Sequence, residues 1–175
     1  MKTLIALSLI TLVVSCSHKG KDKDKNETVV STTQAEAMID GKVKGEANFR
    51  PTAEGVVVNI KVSGLKPNAI HGVHIHQNGV CDQPGYKKAG DHFNPDAHSH
   101  GGPAASIKHI GDLGNLVANE KGVAEKEITM DGIKDVNMIM DRALIVHEKA
   151  DDLVSQPSGN SGDRIACGII KVDNT

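Results

Sequence analysis

"GVVVNIKVSGL", Gly55 to Leu65, has the composition of a β-strand and a partial two-residue alternation. That period sets one side of an extended chain against a core and the other toward water. The preceding stretch "GKVKGEANF", Gly41 to Phe49, reads the same way, and "PNAIHGVHIHQNG", Pro67 to Gly79, carries another strand ending at Asn78-Gly79. "LGNLVANEKGVAEKEITM" reads as two strands around a turn at Asn119 to Gly122, while "RALIVHEK" and "RIACGIIKV" are two more apolar runs of strand length. No sustained helical period occurs, apart from a short turn near Ile133 to Val136. Many short strands with Gly-rich turns predict an all-β sandwich or barrel.

The first residues of the 175-residue chain do not fit that pattern. A short basic start, Met1-Lys2, precedes an apolar run from Thr3 to Val14, which is too short to span a bilayer and has the size of a signal-peptide core. It ends in "VVSC", which resembles a bacterial lipobox, the export signal whose cysteine takes the lipid; here that is Cys16. "SHKGKDKDKNET" then alternates charge without apolar spacing, so a flexible tether is expected, with His18 solvated in it. The expected organisation is a signal peptide over 1–15, a lipidated Cys16 and charged tether over 16–36, and one folded domain over 37–175.

From Ala37 onward 15 Lys and Arg face 18 Asp and Glu, and the aromatics are Phe49, Tyr86 and Phe93 alone. Without a basic field or a stacking platform, nucleic acid is excluded as a partner. Lipidation of Cys16 would leave Cys81 and Cys167. An exported protein meets an oxidising compartment, so these are either a disulfide or two separate buried thiols.

Two connections, about Gln77 to Gly111 and about Glu148 to Asp163, are long for a compact domain, and loops of that length are usually functional or disordered. The first holds His92, His98, His100 and His109 with little core of its own, so a metal is the candidate to hold it. In "HGVHIH" the side chains of His74 and His76 share a strand face, whereas His71 has the opposite parity. His147 ends another strand and completes a set. All-imidazole ligation suits copper or zinc, not magnesium or calcium.

"GVHIHQNG", "GDHFNP", "HGGP", "HIGDLGN", "LIVHEKADD" and "RIACG" occur in one order along the whole domain, and together they resemble the copper/zinc superoxide dismutases. The resemblance implies a Greek-key β-barrel or sandwich of about eight antiparallel strands with two long functional loops. It implies one copper per chain on His74, His76, His92 and His147, and one structural zinc on His92, His100, His109 and Asp112. His92 would bridge the two ions. Asp151 matches the carboxylate that links a copper histidine to a zinc histidine; His71 would support the site or pack, and His98 matches no ligand. Cys81 and Cys167 match the family disulfide. Arg164 matches the arginine beside the open copper position, and Lys149 a lysine of the loop lining the channel.

The implied reaction is disproportionation of superoxide to dioxygen and hydrogen peroxide, with His92 and Arg164 the catalytic residues. The implied setting is an exported lipoprotein facing the periplasm or cell exterior. A homodimer is admitted, but the sequence does not choose between monomer and dimer. Departures fall in the loop Asp152 to Asp163, which is shorter than in typical animal enzymes. Pro157 stands where a lysine is common, Ser158 where a threonine is usual, and a "GGDNY"-like loop of many periplasmic members is missing. The rival readings are a non-catalytic copper-buffering domain, a copper-only relative and a zinc hydrolase. The complete ligand set and Arg164 speak against each.

Overall fold

The computed structural model describes residues 31–173. The expected signal peptide, Cys16 and His18 lie outside the described residues. The strands are β1 (Ala35–Gly41), β2 (Lys44–Pro51), β3 (Val56–Ser63), β4 (Ile70–His76), β5 (Asp112–Val117), β6 (Val123–Met130), β7 (Ala143–His147), β8 (Arg164–Ile169) and the two-residue β9 (Lys171–Val172). All pairings are antiparallel, in the order β5-β4-β7-β8-β1-β2-β3-β6, with β9 on β1. β3 neighbours β2 and β6, while β4 neighbours β5 and β7, so the chain crosses the barrel between β3 and β4 and again between β6 and β7. The architecture is a nearly closed Greek-key barrel.

β5 and β6 end the strand path. Across that seam Lys126 Nζ donates to the carbonyls of Leu113 (3.3 Å) and Asn115 (2.8 Å). A side-chain ammonium thus does there what a backbone ladder does elsewhere.

Phe49, Val58, Ile60, Val62, Leu116, Leu144 and Val146 are among the side chains filling the interior. β3 alternates from Val58 to Ser63 as expected, its buried Val58, Ile60 and Val62 separated by exposed Asn59 and Lys61. β1 begins at Ala35, before the first strand that the sequence suggests. Its inward residues, Ala35, Ala37 and Ile39, include two alanines and give a weak periodic signal. The expected turn near Ile133 to Val136 is a single turn of 3-10 helix at Val136–Met138. The two long connections fall between β4 and β5 and between β7 and β8, as expected.

Candidate metal centre

Val73 and Ile75 of β4 enter the core, so His74 and His76 emerge on its outer face. The long β4–β5 connection is laid back along this strand. Phe93 N donates to Ile75 O (2.8 Å), Ile75 N to Gly111 O (2.9 Å) and Gly111 N to Phe93 O (2.9 Å). That rung sets His92 opposite His76. His147, the last residue of β7, arrives from the neighbouring strand. His74, His76, His92 and His147 each offer one ligand atom, all within 4.8 Å of one another. His92, His100, His109 and Asp112 form a second such group, and all these side chains are buried.

The hydrogen bonds of the rings decide which nitrogen is left over. His76 Nδ1 donates to Gly90 O (2.8 Å) and His147 Nδ1 to Gly162 O (3.3 Å). His74 Nε2 and His100 Nε2 donate to the two oxygens of Asp151, at 2.8 and 3.0 Å. The opposite nitrogens must then carry lone pairs. Those atoms, His74 Nδ1, His76 Nε2, His147 Nε2 and His100 Nδ1, are buried without a hydrogen-bond partner, as are His92 Nε2 and His109 Nδ1. A buried unpartnered acceptor is costly, and convergent ones are what a cation repays.

The second group has the dimensions of a ligand shell. Asp112 Oδ1 lies 2.8 Å from His92 Nδ1, 3.1 Å from His100 Nδ1 and 3.2 Å from His109 Nδ1. A tetrahedron with bonds of about 2.0 Å has edges of about 3.3 Å. The donor sets therefore fit the implied ions: three imidazoles and a carboxylate suit a closed zinc shell, and four imidazoles suit copper.

Burial pushes His76 down to about 2 and His147 down to about 4, and holds His74 and His109 below their ordinary range. Burial alone would raise Asp112. Hydrogen bonding with His92 and the backbone N–H groups of Gly101 and His109 outweighs it and brings the carboxyl to about 2. Near neutral pH these five side chains are thus neutral rings and a carboxylate, the protonation states that metal binding requires.

Asp151 ties a ring of the first group to a ring of the second. Three residues whose importance the sequence does not reveal hold it and His100 in place. Asn115 pairs with the Asp151 backbone in both directions, at 2.8 Å each. Gln156 does the same for the His100 backbone, at 2.8 and 2.9 Å. At Gly159 (φ +67°) a Cβ would stand 1.8 Å from Asp151 Oδ1, so the carboxylate occupies a side chain's space. His109 and Asp112 stand three residues apart in the sequence, whereas these reciprocal amide contacts span distant segments and leave no local pattern.

His71 donates through Nδ1 to His147 O (2.9 Å) and joins neither group. His98 is exposed and donates to Lys108 O (3.3 Å), again outside both groups. Cys81 and Cys167 form a disulfide with Cα atoms 5.6 Å apart, fastening the first loop to β8. Arg164 donates through Nη1 to Tyr86 O (2.7 Å) and through Nη2 to Gly90 O (2.6 Å). It lines a cleft of about 440 Å³ shared with His76, His92, His147, Gln156 and Asp91. Lys149 does not line this cleft; its stem lies against Gly162.

A family profile described as copper/zinc superoxide dismutase matches residues 43–170. The chain belongs to the copper/zinc superoxide dismutase family. It is 37% identical to the superoxide dismutase [Cu-Zn] of Paramecium bursaria Chlorella virus 1, covering 96% of this chain and 92% of that one. It is 43% identical to an extracellular superoxide dismutase [Cu-Zn] of Onchocerca volvulus, over 76% of this chain and 72% of the relative. Against superoxide dismutase [Cu-Zn] 2 of Aquifex aeolicus it is 36% identical, over 98% of this chain and all of the relative. Copper and zinc are thus the cofactors that both the family and the two donor sets call for.

Proposed function

We propose that this member of the copper/zinc superoxide dismutase family disproportionates superoxide to dioxygen and hydrogen peroxide, with copper held by His74, His76, His92 and His147 and zinc by His92, His100, His109 and Asp112. The convergence of unpartnered ring nitrogens on two points supports this reading most directly. Bound copper supplies the one-electron redox cycle, which zinc cannot.

The chain's own residues do the rest. His92 turns Nδ1 toward the zinc group and leaves Nε2 free among the copper ligands, so Nε2 is the atom that can hold and release a proton beside the reacting anion. Arg164 offers its guanidinium in the cleft above, fixed by two carbonyls so that its position costs no reordering when an anion arrives. Asp151 keeps the His74 and His100 rings turned with their lone pairs inward. Zinc held by His92, His100, His109 and Asp112 would pin the loop that carries His92.

Residues 1–15 are proposed as a signal peptide, followed by a lipidated Cys16 and a tether that gives way to β1 at Ala35, two residues before the expected boundary at 37, so that the barrel stands on a membrane facing the periplasm or cell exterior. Replacing Cys16 by Ser should release the protein from the membrane fraction; unchanged membrane association would overturn the anchor.

The test of function is the superoxide decay rate of the full chain loaded with copper and zinc, with metal content read on the same sample. Turnover near the diffusional range with one copper and one zinc per chain is expected. Full loading without turnover would identify a copper-binding domain instead. His147→Ala should lose copper and turnover while retaining zinc.

A further inference from the structure

Among the residues lining the cleft, histidines aside, Arg164 and Asp91 are the charged ones. Pro157 and Ser158 supply the outer loop's share of the lining, and Lys149 stands outside it. Apart from bound ions and the histidines, the charges lining the mouth are therefore one guanidinium and one carboxylate. Asp91 sits on a fixed rung: its carbonyl accepts from Gln77 N (2.9 Å), and the next residue is His92. Its side chain is exposed, whereas Arg164 is half-buried and anchored on Gly90, the residue before Asp91. Burial depresses the Arg164 guanidinium, and the nearby charges of Asp91 and Asp82 act against that depression. Of those two carboxylates, Asp91 lines the cleft.

We propose that Asp91 determines the anion preference of the cleft by offsetting the Arg164 guanidinium at its mouth. An approaching monoanion meets a paired guanidinium rather than a bare one, so Arg164 adds less to the attraction that draws the anion toward the metal. The parent rate is then less dependent on salt than that of a chain with Asp91 neutralised, because there is less field to screen. This rests on the dismutase reading for its substrate, but the charge balance itself does not.

The experiment compares the full chain, loaded with copper and zinc, as parent, Asp91→Asn, Asp91→Ser and Glu54→Gln. Glu54 lies exposed in the β2–β3 turn and controls for net charge. Metal content is measured on every sample. Both Asp91 variants should raise kcat/KM about threefold at low ionic strength, with the gain vanishing as salt screens it. Both should bind azide, a small monoanion followed by the visible absorption of bound copper, about threefold more tightly. Glu54→Gln should do neither. Unchanged azide affinity in the metal-loaded Asp91 variants, disagreement between them, or an equal shift in Glu54→Gln would each overturn the proposal. A parent that binds copper but shows no turnover would remove the dismutase reading, and the azide ratios would still decide the role of Asp91.

Discussion

The two sides of the barrel are built differently. β2, β3 and β6 bury chiefly one face, and their outward residues, such as Asn59, Lys61 and Glu125, meet water. β4 and β7 are buried on both faces over nearly their whole length. What covers their outer face is loop: Tyr86, Ala89 and Cys81 pack on Ala143, Ile145 and Cys167, and beside them lie the histidine groups. The first side is closed by apolar burial on a single face. The second needs an outer layer with little hydrophobic content of its own, so its order must come from ions, a disulfide and hydrogen-bonded carboxylates.

Removing both metals should produce the largest contrast. Turnover should vanish, and protease should cut within 77–111 and 148–163, while amide exchange in β2, β3 and β6 stays slow. Equal loosening of both sides would break the comparison. Next comes Cys167→Ser. Closing a loop of 86 residues is worth about 4–5 kcal/mol in the chain-entropy account, so the urea midpoint should fall markedly. Exchange should quicken first in the first loop and β8.

Acid sharpens the contrast in the metal-free protein. An unfolded histidine takes a proton near pH 6.5, whereas folded His147 resists until about 4 and His76 until about 2. The unfolded chain therefore binds more protons in that window, and stability falls as the pH drops below 6.5. Each such ring contributes a slope of about 1.4 kcal/mol per pH unit. Above pH 6.5 these rings add no slope. Urea midpoints of metal-free protein at pH 7.5, 5.5 and 4.5 should decline in that order; a flat series would mean the rings are not buried neutral. Asp151→Asn should have the smallest effect, because an amide offers one acceptor and one donor to two N–H groups. Metal affinity should drop about 10–100-fold with the thermal midpoint of the metal-free barrel unchanged.

The same contrast explains what could be read without coordinates. On the water-facing side, alternation in β3 and β6 names both strand and core. On the loop side the shared face of His74-x-His76 was legible from residue chemistry at short spacing, while His109 and Asp112 were assigned together through the resemblance of their motif. Asn115, Gln156 and Gly159 were not, because their roles exist only after two distant loops meet. β1 escaped because Ala35 and Ala37 bury so little apolar surface that their periodicity carries no weight.

The carbonyl of Gly90 accepts from both His76 Nδ1 and Arg164 Nη2. One peptide oxygen thus serves a ring of the four-histidine group and the cation at the mouth. Side-chain replacement cannot delete that oxygen, and position 90 sits at φ +76°, where a bulkier residue would strain the turn. Substitution can thus alter the His76 imidazole and the Arg164 guanidinium one at a time only from their own positions. A shift in the loop's path moves both together, which makes this backbone atom a hinge common to the ring and the cation.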